Sequence, residues 1–467
     1  MFANVVQTGS SLTFDVVGVD LCVVNSLRRA CMSEVKTAAF ATDTISTAST
    51  LSTPSTPSTP STSGIVMVRN TSSLHNEFLG HRLSLVPLGF DENQLRALDP
   101  ANGPSALDPA AYKCVLKVKN DAAVPRAVTT ADFEVFDAAG AKRPASEARA
   151  LFPASPVTGD HILLARLKPG EEVHAECVPS IGCGRQHARW SPVSRCFFRN
   201  KIDPVAVEAS LAARKAALIA AHEAAGSPPP TAAEVTTLMV QHATSDAHRC
   251  FLKDAFGEPA AFEFVVETET VQRPAYVVFA AFVALIDSVE AVRTALTLSG
   301  AEGSGTGGRV TVESYPNMDD FYQVTVRGAD HTLGNLVQGL LYRLWVREGE
   351  GREVSYIGYY QPHPLEDGIV FKIKCTGGSG VARGGDVRTR FADGLGWVAE
   401  RLRDLVDAWI AGAGTGLAGA GIVAVNEWSH RRTKAHKGAP TGDPKGESRA
   451  ELRAKAKAKA AASGTGG

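Results

Sequence analysis

Two stretches 310 residues apart repeat one short pattern, and a chain that repeats itself in this way is constrained to fold as two related halves. Val16, Gly18, Asp20 and Asn25 recur as Val326, Gly328, Asp330 and Asn335, with Leu27 opposite Val337. In each copy a short alternating strand ends at a glycine, and the aspartate is then placed to cap a helix by accepting from its free amide groups. Leu21, Val24, Leu27 and Cys31 share a face of the first helix; Leu333, Val337, Leu340 and Leu344 share one of the second. A later amphipathic helix ends each copy, with the stripe Phe279, Phe282, Ile286, Val289 in the first and Val387, Phe391, Leu395, Val398, Leu402, Val406 in the second. Each helix pair has an apolar face that its own small sheet cannot cover, and packing one half on the other covers both. A pseudo-symmetric dimer within one chain follows.

The expected fold class is α+β: two dimerisation halves, each a small antiparallel sheet with packed helices, the first interrupted by a mainly β insert. Strand-like stretches Cys114–Val118, Asp132–Phe136 and His161–Leu167, with a turn at Lys168-Pro169-Gly170, mark the insert, and an alanine-rich helical segment from Pro204 to Ala225 ends it. Three low-complexity stretches lack the apolar content that offsets folding entropy. They are the Ser/Thr-Pro triplets within 41–63, the Gly/Ser joint at 300–308 and the tail from about His430. The expected boundaries are therefore 1–90 and 259–299 for the first half, 91–258 for the insert, 300–308 for a flexible linker, 309–429 for the second half and 430–467 for a disordered tail.

The formal charge of −1 gives no general attraction for nucleic acid or membrane, but it is unevenly spread. From His430 to Gly467 ten Lys/Arg face three Asp/Glu, a local +7, which leaves −8 on the remainder. Eight cysteines include no pair at the spacing of a zinc knuckle or redox motif, and no secretory signal opens the chain, so an intracellular, reduced protein is expected. The longest apolar run, Ala275 to Ile286, has twelve residues, short of the roughly 20 that cross a bilayer. It reads as a core helix. Gly414-Thr415-Gly416-Leu417-Ala418-Gly419 fits GxGxxG, yet it follows a helix rather than a strand and reads as a loop. No nucleophile, base or metal set emerges, so no catalytic residue, metal or cofactor is expected.

Four blocks instead combine polar residues with strict local patterns: Asn25-Ser26-Leu27-Arg28-Arg29; Asn70 to Leu83, continuing to Pro87-Leu88; Gly184 to Val193; and Asp330 to Leu336. The first three resemble the third subunit of eukaryotic RNA polymerase II and its archaeal counterpart, both related to bacterial polymerase alpha. The last, with Tyr359 to Leu365, resembles the eleventh subunit, the small alpha-like partner. The resemblance covers roughly 14–29, 70–193, 262–292 and 322–409 and implies two subunits joined in one chain, as in large DNA viruses. It implies a non-catalytic assembly platform within a DNA-directed RNA polymerase, whose partners are the largest and second-largest subunits, with small polymerase subunits as optional further partners. DNA would be met only indirectly, through the complex, and no membrane is implied. Host nucleus or cytoplasm is the expected location, and the virion if the source is viral. Zinc or iron–sulfur cysteines of some family members are absent from the loop 89–112, so no metal is expected there.

Carried onto this sequence, the resemblance assigns partner binding to Asn25, Arg28, Arg29, His81, Arg82, His187, Arg189 and Trp190. Dimerisation falls to Leu21, Val24, Leu27, Leu333, Val337, Leu340, Leu344, Phe391, Val398 and Leu402. Arg28 and Arg29 have Gln338 and Gly339 at the matching places of the second copy, so an asymmetric charge pair is offered to a single large partner. The competing reading is a self-standing nucleic-acid adaptor that uses the basic tail, which carries no interleaved aromatic to stack on bases.

Overall fold

A computed structural model describes residues 1–41, 46–47, 64–99, 112–156, 158–298, 308–315, 318, 320–348, 354–376, 384–412 and 414–438. Most of the Ser/Thr-Pro stretch, nearly all of the 300–308 joint and the tail from 439 lie outside the described residues.

The repeat is realised as two four-stranded antiparallel sheets of the same strand order. In the first half β1 (Phe2–Thr8), β2 (Ser11–Val17), β12 (Ala261–Thr268) and β11 (Val193–Asn200) run in the order β1-β2-β12-β11. In the second, β13 (Val310–Ser314), β14 (Phe321–Arg327), β16 (Gly368–Cys375) and β15 (Val354–Tyr360) run in the order β13-β14-β16-β15. Registers agree as well: Val16 pairs with Phe262, and its equivalent Val326 pairs with Ile369. Alternation along β2 and β12 sends Leu12, Phe14, Val16, Phe262, Phe264 and Val266 to one buried face. Helices α1 (Leu21–Ser33) and α7 (Pro274–Leu298) lie with that sheet, as α8 (His331–Tyr342) and α9 (Gly384–Ala411) do with the other.

The two halves form one compact unit, 1–422. Helix α1 meets α8, and α7 meets α9. Trp409 of α9 is fully buried within the first half, its ring 4.7 Å from that of Phe14 and 5.1 Å from that of Phe2. Its indole N–H donates to the carbonyl of Ala275 at 3.0 Å. The apolar run 275–286 lies in α7, which at 25 residues is long and apolar enough, by length and composition, to cross a bilayer. Val277, Val278, Phe282, Leu285 and Val289 of that helix are buried within the protein.

The insert has a sheet of its own, and strand pairing moves its edges from those expected at 91 and 258. β4 (Ser46–Thr47), β5 (Gly64–Asn70), β10 (Glu172–Cys183), β6 (Lys113–Lys119) and β8 (Phe133–Phe136) lie in that order, and β3 (Lys36–Phe40) pairs with the end of β10. β7 (Arg126–Thr129) pairs with β9 (Leu163–Leu167). Short helices α2 (Asn76–Ser84), α3 (Glu92–Leu98) and α4 (Ala145–Leu151) help close a core that contains Phe40, Ile65, Leu79, Leu83, Phe133 and Phe152. Residues 36–40 and 64–90 thus belong with the insert, whereas Val193–Asn200 belongs to the dimerisation sheet. Pairing between residues far apart in sequence decides both edges, and composition does not report it.

The alanine-rich segment is a helical hairpin, α5 (Pro204–Ala224) and α6 (Ala232–Gln241), inserted between β11 and β12. An isolated bridge from Ile202 to Phe251 closes its base, and no residue of either helix is buried. The chain from His430, expected to be a disordered tail, begins instead as the second part of α10 (Val423–Gly438), which falls in a separate unit. Within that helix Glu427 and Arg431 are spaced for an i,i+4 ion pair, with N···O 3.7 Å.

Candidate docking surfaces and the seam between the halves

The seam begins at the two repeated aspartates. Asp330 caps α8: one carboxylate oxygen accepts from the amides of Thr332 at 2.9 Å and Leu333 at 3.4 Å. Asp20 holds the equivalent place before α1 but makes no side-chain cap. Its carboxylate accepts from Arg343 of the other half at 2.5 Å, a charge-assisted bond that outcompetes neutral amides. The expected double cap is therefore present on one side only.

Asp330 also faces across. Its second oxygen lies 3.6 Å from Nη2 of Arg29 and 3.3 Å from Nη2 of Arg185, while Nε of Arg29 donates to Oγ1 of Thr332 at 2.8 Å. Arg185 in turn donates to Glu34 at 2.5 and 2.9 Å. Burial pulls the Arg185 guanidinium down, but the bond to Glu34 and the charges of Glu34 and Asp330 outweigh it and hold it above its ordinary value. The end of α1, the turn at Arg185 and the start of α8 are joined at this point.

Arg29 thus takes part in the seam, although its side chain stays 41% exposed. Arg28 is not drawn in: its Nε donates to Oδ1 of Asn25 at 3.1 Å, and the pair stays partly exposed on the outward side of α1. Helical rotation of about 100° per residue separates the two neighbours' roles.

Along α1, Cys22, Ser26 and Arg29 reach the other half. Ser26 donates to the carbonyl of Thr332 at 3.3 Å, and Cys22 lies against Gly339, where an added Cβ would stand 2.6 Å from its Sγ. On α8 the matching positions are Thr332 and Gly339, and Arg343, just past its end, reaches Asp20 ahead of α1. This small and polar stripe was invisible to an apolar pattern search. Of the expected dimerisation set, Val24, Leu27, Leu333, Val337, Leu340, Phe391, Val398 and Leu402 are buried. Leu21 is not: it is 41% exposed, because the first residue of α1 projects beyond the turn that its helix covers. Leu344 is half-buried, on the widened turn 343–347 that ends α8. Cys31 turns to its own half, beside Cys196 of β11, and with burial this neighbour pushes its thiol well up.

The Gly184–Val193 block docks the insert onto α1. The amide of Arg185 donates to the carbonyl of Ser33 at 2.9 Å, so it meets one of the free carbonyls that end the helix. Trp190 lies over Gly182, where a Cβ would sit 2.5 Å from its ring, and its indole N–H donates to the Ser180 carbonyl at 3.1 Å. The Arg189 guanidinium stacks on that ring at 5.1 Å. At 9% and 8% exposure Arg189 and Trp190 build this corner and are not open to a partner, which corrects their assignment. His187 is exposed, with Nδ1 accepting from the Arg189 amide.

His81 and Arg82 are exposed on α2, where Arg82 donates to the Leu163 carbonyl at 2.6 Å. Sequence reasoning missed their neighbours Phe78 and Leu85, which are 64% and 61% exposed. The four stand at i, i+3, i+4 and i+7, one helix face opposite the buried Leu79 and Leu83, and that spacing was the available signal. The Asn70 end of the block is structural: Asn70 donates to the Leu74 carbonyl at 2.8 Å and to Asn76 Oδ1 at 2.9 Å, holding the turn before α2. Among the described residues no three His, Cys, Asp or Glu side chains gather as a metal centre needs.

The family described as the RNA polymerase Rpb3/Rpb11 dimerisation domain matches residues 13–289 and, in a second form, residues 322–402. Among curated proteins, the subunit rpac1 of DNA-directed RNA polymerases I and III from Dictyostelium discoideum is 24% identical over 45% of this chain and 54% of its own length. The DNA-directed RNA polymerase subunit Rpo3 of Methanothermobacter thermautotrophicus is 27% identical over 41% of this chain and 59% of its own. For RPAC1 of Saccharomyces cerevisiae the figures are 28%, 40% and 52%. The chain therefore spans between half and three-fifths of the length of these relatives. The two matches fall on the two halves that the strand registers relate to each other, and the first alone covers more than half of the sequence: the chain belongs to the RNA polymerase Rpb3/Rpb11 dimerisation-domain family.

Proposed function

We propose that the chain is a non-catalytic assembly subunit of a multisubunit DNA-directed RNA polymerase, in which the alpha-like pair is intramolecular and presents surfaces to the largest and second-largest catalytic subunits. One observation carries this reading: the family matches lie on two pseudo-equivalent halves that share a core through Trp409. A dimer already closed within one chain leaves its outward faces for other subunits. The second-largest subunit is assigned to the first half, through Asn25 and Arg28 on α1 and the face Phe78, His81, Arg82 and Leu85 on α2. Aromatic and arginine side chains at the centre of an exposed face are the usual energetic anchors of such contacts. In that role DNA is met indirectly, through the assembled enzyme.

The test is affinity purification of the tagged full-length chain from its own source, with mass spectrometry. Two large polymerase subunits in stoichiometric amounts are expected. Recovery of the chain without them would overturn the proposal.

A further inference from the structure

The outward faces of the two sheets should match if the pseudo-symmetry were complete, and they do not. On the first, Arg195 pairs with Glu267 at 3.1 Å, Arg199 with Glu263 at 2.7 Å and Lys201 with Asp15 at 2.5 Å, so the charges neutralise one another. Counting along the ladders from the equivalent pairs Val16·Phe262 and Val326·Ile369 gives the counterparts. Tyr356 and Lys374 stand where Arg195 and Glu267 do, Tyr360 and Val370 where Arg199 and Glu263 do, and Lys372 replaces Val265. Neither carboxylate of those two ion pairs has an acidic counterpart in the second sheet.

What replaces them is an aromatic surface around a central lysine. Nζ of Lys372 lies 4.9 Å from the ring centre of Tyr315 and 4.7 Å from that of Tyr360. Phe321 stands 5.3 Å from Tyr315 and is stacked at 6.1 Å on Tyr356, so these rings cross three strands. Gly358 leaves its place on the face without a side chain, and the Tyr356 ring lies across it: an added Cβ would meet the phenol oxygen at 2.4 Å. Tyr356 and Tyr360 remain 47% and 39% exposed, and neither Lys372 nor Lys374 has a carboxylate partner among the described residues. Glu313 lies in the row of Lys372 with Gln323 between them.

We propose that this face, the outer side of β14, β16 and β15, binds single-stranded nucleic acid without sequence preference, a role separate from polymerase assembly. Each nucleotide brings one negative phosphate and one planar ring, the two things that an interleaved lysine and tyrosine surface satisfies together; a four-stranded sheet with exposed aromatics is a known stacking platform. An acidic protein segment would satisfy the lysines and leave the rings without a counterpart.

The experiment is a fluorescence-anisotropy titration of short fluorescein-labelled oligouridylate with the full chain at several salt concentrations. Tyr356→Leu with Tyr360→Leu should weaken binding about 10-fold or more at every salt concentration, as removal of base stacking does, with the salt dependence unchanged. Tyr356→Phe with Tyr360→Phe keeps the rings and should bind as the original chain does. Lys372→Gln with Lys374→Gln should flatten the slope of log affinity against log salt by about 1.4, roughly 0.7 for each phosphate that a lysine no longer neutralises. The proposal is overturned if the original chain does not bind the oligonucleotide, or if the Leu pair binds as well as the Phe pair, which would leave the basic tail as the sole site of attraction. It is equally overturned if the Leu pair loses a large polymerase subunit while its oligonucleotide affinity is unchanged, since the face would then serve a protein.

Discussion

Single side chains decide how closely the halves approach. Gly339 is the tightest point, and Ala there sets two effects against each other. Alanine gains about 1 kcal/mol of helix propensity over glycine. Its Cβ would also stand 2.6 Å from Sγ and 2.8 Å from Cβ of Cys22, and a Cβ cannot swing aside, so α1 and α8 must move apart. Overpacking of this kind costs about 1–3 kcal/mol, so Gly339→Ala should lower the unfolding midpoint, and a raised midpoint would contradict the seam. Arg29→Ala should cost only about 1 kcal/mol, because its partly exposed ion pair with Asp330 is screened and the bond to Thr332 supplies most of the effect. Arg28→Ala should leave the midpoint within about 0.5 kcal/mol while weakening capture of the second-largest subunit by about 2 kcal/mol, measured by pull-down titration. Burial, with the charge of Asp20, pushes the Cys22 thiol from 9.0 up to about 12, and burial with the charge of Glu92 raises Tyr276 from 10.0 to about 12. Between those limits the unfolded chain has released protons that the folded chain keeps. The unfolded chain binds fewer protons, so stability must fall as pH rises above about 9. Urea midpoints measured at rising pH should drop, and Cys22→Ala should reduce the drop; a flat profile would deny the burial of both groups.

At the scale of elements, the contrast is between segments that bury side chains and one that does not. The hairpin α5–α6 has no buried residue in either helix and leaves and returns at adjoining points of the first sheet, as the Ile202–Phe251 bridge shows. Replacing 204–249 by a short glycine-rich turn should therefore leave the far-ultraviolet spectrum of the remaining body and its unfolding midpoint nearly unchanged; collapse of the fold would show a packing role that burial does not reveal. Trp190 is the opposite case. It covers Gly182 and ties β10 to β11 through Ser180, so Trp190→Ala should cost about 3–5 kcal/mol, read from denaturant unfolding. Periodicity made α1, α7, α8 and α9 legible, since each carries an apolar face at helical spacing. It left out Cys22, Ser26 and Arg29 of α1, which meet the other half, because small and polar residues leave no mark in an apolar pattern.

For the whole molecule, the question is whether two halves joined by the 300–308 segment are held by that segment or by their own contact. Trp409, fully buried against Phe2 and Phe14 and bonded to Ala275, indicates the contact, as do the pair Arg403–Glu290 at 2.7 Å and the crossed pairs of Asp20 and Asp330. A protease site placed within 300–308 and cut after folding should leave the halves co-eluting on gel filtration. Trp409→Ala in the cut protein should make them separate more readily at low concentration. Separation without that substitution would refute the intramolecular dimer. The sequence by itself determined that there are two related halves, which helices they contribute and that a β-rich segment interrupts the first, because repeats and amphipathic periods are local properties of residue order. Only the tertiary structure decided where the insert ends, that Arg29 reaches the second half while Arg28 bonds within its own helix, that Arg189 and Trp190 are buried, and that the second sheet's outer face is aromatic and cationic. Those outcomes depend on strand register and helix rotation between segments that are brought together by the fold, some a few residues apart and some hundreds, and the apolar period of one element carries no record of either.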